Sequence, residues 1–386
     1  MKHDWKYIKL GDIISPAKVV RNGANKKFPV LSITMRDGIV FQSSRFKKSI
    51  ASVDTSDYKV VYNGQLVIAF PIDEGLIYTQ DIVDAGIMSP AYNVWNVDFL
   101  EIDRKFLVLY LHCPFSMAYY KSKLRGTTMR RRSMPKEDLL NMPLPVPSFS
   151  VQQSIISELD KINELIRLKK EQLKDYDNLA QSIFYEMFGD PVVNEKGWKV
   201  KKIGEIGTVE RGAGISKKDF VEDGLPCIHY GQLHTILGPT TRHHHSCIPE
   251  SLLPKYKIAH TNDVIMAITS EDVEGSCKST AWLGNYDIVI GSDAAILHHE
   301  QDGTFLSYYT MTKAFFNEKS KYAKGFKVTH ISAKEIENIP VYLPPLALQK
   351  DFAKRIEVIE HQKENIKSTI QDLETLLASR MQYWFD

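Results

Sequence analysis

The sequence contains the same amphipathic helix pattern twice, with a constant offset of 197 residues between the copies. In both copies apolar residues recur in alternating steps of four and three, which is typical of helices that pack along a narrow seam as a coiled coil. Lys169 and Lys363 each interrupt one of the stripes. Two such copies in one chain predict a pseudo-twofold internal repeat. The apolar positions are Ile155, Leu159, Ile162, Ile166, Leu173, Tyr176, Ala180, Ile183 and Met187 in the first copy, and Phe352, Ile356, Ile359, Ile366, Ile370, Leu373, Leu377 and Trp384 in the second.

The repeat extends beyond these helices. Trp5-Lys6 corresponds to Trp198-Lys199, and Asn141-Met142-Pro143 corresponds to Asn338-Ile339-Pro340. Between these anchors, each half contains short runs of β-branched and aromatic residues separated by turn residues, a pattern typical of strands in a compact β-rich domain. Near the end of each β-rich part, 110–123 and 305–320 each predict one helix.

The sequence therefore predicts an α+β fold with two β-rich domains, 1–147 and 191–345, separated by two long antiparallel helices. We expect these helices, 148–190 and 346–386, to form an intramolecular coiled coil. The alternative is that they merely hold domains apart or dimerise, but the in-register repeat favours pairing within the chain. Prolines precede each helix, which favours an extended approach. Ser150 with Gln153 predicts a capping box at the first helix, and Gly189-Asp190-Pro191 predicts its end.

Length, charge and cysteine content limit the classes of protein to which this chain can belong. A chain of 386 residues suits two or three domains. The formal net charge of only +2 means that any nucleic-acid binding depends on local patches. Four widely spaced cysteines form no C-x-x-C pair, and no signal region or apolar membrane span is present in the sequence. We therefore expect a cytoplasmic protein with reduced thiols and no membrane association.

Catalytic and metal motifs are missing from the sequence. An adenine methyltransferase needs a polar-Pro-Pro-aromatic turn, and Leu343-Pro344-Pro345-Leu346 lacks both flanking residues. Gly212-Ala213-Gly214 is interpreted as a turn, and there is no P-loop or G-x-S-x-G motif. His243-His244-His245 near Cys247 lacks zinc-like spacing and is interpreted as a polar loop. We therefore expect no catalytic residue, no metal and no cofactor.

Basic clusters recur just before each long helix, and they are the basis for predicting DNA binding, because lysine and arginine neutralise phosphates and arginine also reads guanine. The alternative is that these clusters are solvated loops. The first cluster also contains Lys121 and Arg132, and the second also contains Lys319 and Lys321. The candidate DNA-binding residues are Arg45, Lys47, Lys123, Arg125, Thr127, Thr128, Arg130, Arg131, Lys217, His229, Tyr230, Gln232, Lys324, Lys327 and His330.

Several segments together resemble the specificity subunits of type I restriction–modification systems. The junction Glu186–Pro191 followed by Lys196-Gly197-Trp198 closely resembles that family's junction. The entry to each helix is similar too, in Asn141–Pro147 with Gln152-Gln153 and in Asn338-Ile339-Pro340 with Gln349. The resemblance spans the whole chain and includes the order of recognition domain and conserved helix, twice.

The resemblance implies a non-catalytic subunit that reads a bipartite, asymmetric double-stranded DNA site and docks two methyltransferase (modification) subunits. Motor-nuclease (restriction) subunits join the complex for cleavage. Two alternatives stay open: a specificity subunit of a methylation-only or combined cleavage and methylation system, and a coiled-coil scaffold whose β-rich domains bind protein.

Overall fold

The computed structural model describes residues 4–23, 28–35, 37–45, 54–125, 133–251, 256–323, 325 and 328–385. The chain folds into two compact units. The first comprises Met1–Lys170 with Ser368–Asp386, and the second comprises Glu171–Lys367. Each of the two long helices therefore contributes to both units.

The first unit consists mainly of short strands, and most of its helices lie in the second half of residues 1–170. A four-stranded sheet has the order β2-β9-β6-β7, and β3 pairs with β4, β5 with β8 and β1 with β10. The strands are β1 (Lys6–Lys9), β2 (Ile14–Pro16), β3 (Leu31–Thr34), β4 (Gly38–Phe41), β5 (Lys59–Tyr62), β6 (Leu66–Ile68), β7 (Ile77–Thr79), β8 (Ala85–Met88), β9 (Asn93–Val97) and β10 (Pro143–Val146). The helices are α1 (Gln42–Arg45), α2 (Arg104–Leu111), α3 (Pro114–Lys123), α4 (Lys136–Leu140) and the long α5 (Phe149–Phe188).

The second unit has the same plan with larger sheets. One sheet has the order β12-β21-β17-β19-β14 and another β15-β13-β20-β16, while β11 pairs with β23 and β18 with β22. The strands are β11 (Lys199–Lys202), β12 (Gly207–Arg211), β13 (Leu225–Ile228), β14 (Thr240–Thr241), β15 (Ser246–Ile248), β16 (Lys257–Ala259), β17 (Val264–Ala267), β18 (Thr269–Ser270), β19 (Ser279–Trp282), β20 (Ile288–Ile290), β21 (Ala294–His299), β22 (Thr329–His330) and β23 (Pro340–Leu343). The helices are α6 (Tyr230–Thr235), α7 (Gly303–Tyr309), α8 (Lys313–Lys319), α9 (Ala333–Glu337) and the long α10 (Leu346–Phe385).

The internal repeat is visible in the strand pair that precedes each long helix. In the first unit Lys6 lies opposite Val146, and in the second unit Lys199 lies opposite Leu343. Both pairs are antiparallel, and in both the proline-rich strand leads directly into the helix. The prolines thus occupy a two-stranded edge, where their missing N–H groups are tolerated.

A buried glutamine at the start of each long helix explains why this residue recurs in the sequence. Gln152 Oε1 accepts a hydrogen bond from the backbone N–H of Asp103 at 2.7 Å, and its Nε2 donates to the carbonyl of Pro147 at 2.9 Å. Gln349 makes the same bonds to Asp302 at 3.1 Å and to Pro344 at 2.8 Å. Asp103 and Asp302 cap α2 and α7. Each glutamine therefore ties a long helix to the helical end of its β-rich domain.

Within each unit, the beginning of one long helix packs against the end of the other, so the helices are antiparallel there. In the first unit Ile155 and Leu159 share a core with Phe385. In the second unit Phe184 shares a core with Phe352. These contacts explain the heptad stripes, because the seam residues are buried or half-buried.

The interruption of the second stripe at Lys363 is a buried ion pair. The Nζ atom of Lys363 lies 2.8 Å from Asp177 of α5 and 2.7 Å from Glu360 of its own helix. Its side chain is only 8% exposed, while that of Asp177 is 63% exposed. The ion pair between Lys363 and Asp177 is therefore partly solvated on the side of Asp177.

Three local predictions were wrong. The segment 110–123 is not one helix, because α2 ends before Cys113 and Pro114 starts α3, where proline is tolerated in the first turn. The segment 305–320 is likewise divided into α7 and α8, since the hydroxyl of Thr312 caps α8. The capping box of Ser150 is absent, because α5 already begins at Phe149 and Gln153 instead donates to Asp103 Oδ2 at 2.9 Å.

Candidate nucleic-acid interface

Only part of the predicted DNA-binding set lies within the described residues. The structure describes the backbone of Arg45 at the end of α1 but not its side chain. The predicted residues outside the described part are Lys47, Thr127, Thr128, Arg130, Arg131, Lys324 and Lys327. The remaining candidates fall into one surface in each unit, and their contact with DNA stays a prediction.

In the first unit, the described part of the basic cluster surrounds one carboxylate. Lys123 Nζ lies 3.5 Å from Asp138 Oδ1, and the Arg125 guanidinium lies 3.6 Å from Asp138 Oδ2. The backbones of Arg125 and Ser133 exchange two hydrogen bonds of 3.1 Å. Exposed pairs of this length contribute only about 0–1 kcal/mol, so both cations are available to a phosphate.

In the second unit, four polar residues meet at what we call the Asp293 hub: Arg211, Thr269, Asp293 and His330. The hydroxyl of Thr269 donates to Asp293 Oδ1 at 2.9 Å and lies 3.2 Å from His330 Nδ1. The Arg211 guanidinium lies 3.9 Å from the same carboxylate oxygen. His330 is held there because β18 and β22 pair Thr269 with His330. Of the four, only His330 was among the predicted candidates.

Helix α6 brings further predicted residues next to the hub. His234 Nε2 lies 3.1 Å from the carbonyl of Thr269. The ring of Tyr230 lies 6.1 Å from that of His234 and 4.7 Å from that of His229. Two segments predicted separately from the sequence, 229–232 and the one ending at His330, thus lie side by side in the folded unit.

Two of the predicted residues on this helix have structural partners. His229 Nδ1 accepts from the N–H of Gly231 at 3.1 Å, and Gln232 Oε1 accepts from the N–H of His229 at 2.9 Å. Gln232 also donates to the hydroxyl of Ser246 at 3.1 Å. Burial, together with the positive charge of Lys217, lowers the pKa of His229 and favours the neutral ring. These side chains fix the start of α6, while Lys217 is exposed and Tyr230 is half-buried.

Close backbone approach shapes the hub. A Cβ atom on Gly212 would lie 2.2 Å from the carbonyl oxygen of Gly291. The backbone after Arg211 can therefore approach the turn before Asp293 this closely only because residue 212 is glycine. Asp293 itself has φ +65°, a backbone conformation uncommon for residues other than glycine. Strain of this kind is often found at functional sites. The Gly212-Ala213-Gly214 turn was the sequence signal that could have identified Arg211.

The second basic cluster is smaller than predicted, because Lys319 is not on the surface. It is 4% exposed. Its Nζ donates to the carbonyl of Glu274 at 2.9 Å and to that of Ser276. Burial lowers the pKa of Lys319. Lys321 is exposed but lies 2.6 Å from Glu318 Oε2.

The described residues form no metal site, no disulfide and no membrane-spanning helix. His244 Nδ1 lies 2.7 Å from the hydroxyl of Tyr286. Within the ranges that the structure describes, no three His, Cys, Asp or Glu side chains are grouped as metal ligands. All four cysteines are buried and unbridged. Among the helices of the described ranges, none is long and apolar enough to cross a membrane.

Comparisons with known proteins agree with the predicted fold. The family described as "Type I restriction modification DNA specificity domain" matches residues 195–375. The type I restriction enzyme MjaVIII specificity subunit of Methanocaldococcus jannaschii is 23% identical, over 97% of this chain and 92% of that protein.

Two solved structures share the fold of this chain. One, from work on complex assembly and conformational transition of the type I restriction–modification system, has a TM-score of 0.59 at 19% identity, covering 99% of this chain and 97% of that one. The S subunit from M. genitalium has a TM-score of 0.51 at 13% identity, covering 100% and 97%. The predicted α+β fold is thereby confirmed.

Proposed function

Because this chain belongs to the specificity-subunit family of type I restriction–modification systems, we propose that it reads a bipartite, asymmetric DNA site and docks the methyltransferase subunits that modify it. Members of this family are non-catalytic recognition subunits. In this proposal each β-rich domain reads one half of the site. The domain bounds are those of the sequence, 1–147 and 191–345, with 148–190 and 346–386 as helical spacers.

The observation that carries the proposal is that the scaffold is repeated while the polar surface is not. Gln152 and Gln349 make equivalent bonds in the two units. By contrast, the first unit presents Lys123 and Arg125 around Asp138, whereas the second presents the Asp293 hub. Equivalent frameworks with different reading side chains fit a target whose two halves differ in sequence.

Exposed apolar residues on the long helices support docking of protein partners. Leu179 and Leu376 occupy equivalent positions of the repeat, and they are 45% and 46% exposed. Leu165 and Leu168 are exposed to a similar degree. Phe184 is different, because it is 2% exposed and belongs to the core of the second unit. Two equivalent apolar positions suit two copies of one methyltransferase subunit, with motor-nuclease subunits joining for cleavage.

The test is selection of DNA from a library of randomised duplexes by the full-length chain, alone and co-purified with methyltransferase subunits. We expect an enriched motif of two unlike parts with a fixed gap, and binding that weakens steeply with salt. Binding that is insensitive to salt and selects no motif would favour the protein-binding scaffold instead. Mapping of methylated adenine and of DNA cleavage by the complex distinguishes a full restriction system from a methylation-only one.

Docking has a separate test. Replacing Leu179 and Leu376 together by aspartate is expected to abolish co-purification of methyltransferase subunits, because each charge would be buried at the interface. The matched control is Val193→Asp, which changes an exposed apolar residue that lies outside both long helices. Undiminished co-purification of the double variant would rule out these positions as docking contacts.

A further inference from the structure

The Asp293 hub contains both hydrogen-bond donors and acceptors, which distinguishes it from a phosphate-binding patch. Arg211 and the Thr269 hydroxyl donate, while the Asp293 carboxylate accepts. A phosphate oxygen needs donors alone and is repelled by a carboxylate, whereas base edges in the major groove present both kinds of group. The composition of the hub therefore favours contact with bases.

The neighbouring charges favour the same conclusion. Glu271 and Asp272 follow directly after β18, and both are exposed. They place negative charge close in sequence to Thr269, which disfavours a phosphate at that position. Lys217 and Lys218 are exposed on the 3-10 turn Lys217–Asp219 and suit the phosphate backbone instead.

We propose that the Arg211–Asp293 pair reads one G·C base pair in the half-site of the second unit, with Arg211 on guanine. The inference rests on the proposed function and names the specificity-determining residues of this unit. In the major groove, guanine offers the acceptors N7 and O6, and its partner cytosine offers an amino donor. The pair presents the complementary set: the forked guanidinium faces the acceptors, and the carboxylate faces the amino group.

The structure holds both partners in place for this contact. Asp293 is fixed through its side chain by Thr269 at 2.9 Å and through its carbonyl, which accepts from the N–H of Ile268 at 2.9 Å. Arg211 ends β12, and the neighbouring Gly212 donates its N–H to the carbonyl of Ala294 at 2.9 Å. The Arg211 side chain is 57% exposed and lies 3.9 Å from the carboxylate, so it is oriented without being enclosed.

The experiment uses the full-length chain and the same randomised duplex library. Arg211→Lys keeps the charge but removes the planar fork, and Asp293→Asn keeps the shape but removes the charge. We expect both variants to lose preference for guanine at one position of one half-motif, by roughly 5- to 150-fold, the usual discrimination by a bidentate contact. The other half-motif should be unchanged. Arg242→Lys is the matched control, since Arg242 is an exposed arginine of the same unit that pairs with Glu357 at 2.6 Å.

Three results would overturn the assignment. The first is an unchanged motif for Arg211→Lys. The second is a uniform loss of affinity for all sequences with a weaker salt dependence, which would indicate a phosphate contact. The third is a wild-type chain that selects no two-part motif, which would contradict the proposed function as well. Arg211→Ala, checked by thermal unfolding, gives an independent reading of the same position.

Discussion

The rings of Phe106 and Phe385 lie 5.6 Å apart, so a residue of α2 packs against the last turn of α10. The second unit repeats the contact between Phe305 and Phe188 at 4.8 Å. Each domain is therefore anchored to the end of a long helix, through an aromatic pair at the same position of the repeat. For the first unit, that anchor is supplied by the opposite end of the chain.

Phe385→Ala is expected to destabilise the first unit by about 3–5 kcal/mol, because it leaves a cavity in a core where Phe385 is 6% exposed. The loss of stability is measured by unfolding in urea, with hydrogen exchange used to monitor each unit separately. The second unit should be unaffected, and Phe188→Ala should give the reverse pattern. Tyr383→Ala, at a 41% exposed position, is the control and should cost far less. Equal destabilisation of both units by Phe385→Ala would contradict two separate anchors.

Much of the fold was predictable because its signals are local or periodic. The heptad stripes predicted both long helices, and the proline and glycine signals placed the two ends of α5 close to Phe149 and Phe188. The division of 110–123 into two helices was not predicted, because the apolar pattern continues across Cys113 although the helical backbone is interrupted there. The burial of Lys319 was also not predicted. Its sequence neighbours are basic, but its ammonium donates to carbonyls 43 and 45 residues away in the chain.

The candidate site was less predictable, because it is assembled from distant segments. Arg211, Thr269 and Asp293 are brought together because β21 pairs with both β12 and β17, and the pairing of β18 with β22 adds His330. No short motif encodes these pairings. The sequence identified His330 and Tyr230 as polar residues in suitable segments. It did not show that they share a surface, because that depends on the packing of α6 beside β18.

His299 gives the second unit a pH-dependent stability. Burial lowers its pKa to about 4 from an ordinary value near 6.5. Between these values the unfolded chain binds a proton that the folded unit does not, so stability rises with pH across the window and is lost as pH falls through it. The loss should be about 2–3 kcal/mol between pH 7 and pH 4. His299→Gln should reduce this dependence in urea unfolding.

The control for that experiment is His260→Gln, which should change the pH profile with the opposite sign. Hydrogen bonding to Asp287 raises the pKa of His260, so its contribution is present below the unfolded pKa and is lost as pH rises through the folded value. A His299→Gln variant with an unaltered profile would show that this ring does not limit stability in acid.

Salt dependence tests the basic cluster of the first unit. Replacing Arg125, Arg130 and Arg131 by alanine should weaken DNA binding and reduce the slope of log K against log salt by up to about 2.7, or about 0.9 for each phosphate that is no longer neutralised. A triple replacement of Lys6, Lys105 and Arg167 is the control, because these exposed cations lie outside the predicted DNA-binding set and the change in net charge is equal. If both triple variants have the same slope, the cluster does not contact phosphates.

The proposed spacer role of the long helices has a quantitative test, because the repeat allows equivalent heptads to be removed. Deleting 167–173 from α5 and 364–370 from α10 removes seven residues at positions 197 apart and preserves the heptad stripe in each helix. At 1.5 Å per residue the helices shorten by about 10 Å. This equals roughly three base pairs of duplex, so the selected DNA motif should keep both halves and have a gap shorter by about three base pairs.

Deleting only 167–173 is the control for that test. It offsets the two stripes against each other, so the seam residues no longer meet along their length and the chain should lose stability instead of reading a shorter gap. The paired deletion restores the match, which makes retained stability with a shortened gap the expected result. A paired variant that folds normally and selects the original gap would show that the helices do not set the spacing, whatever else they hold together.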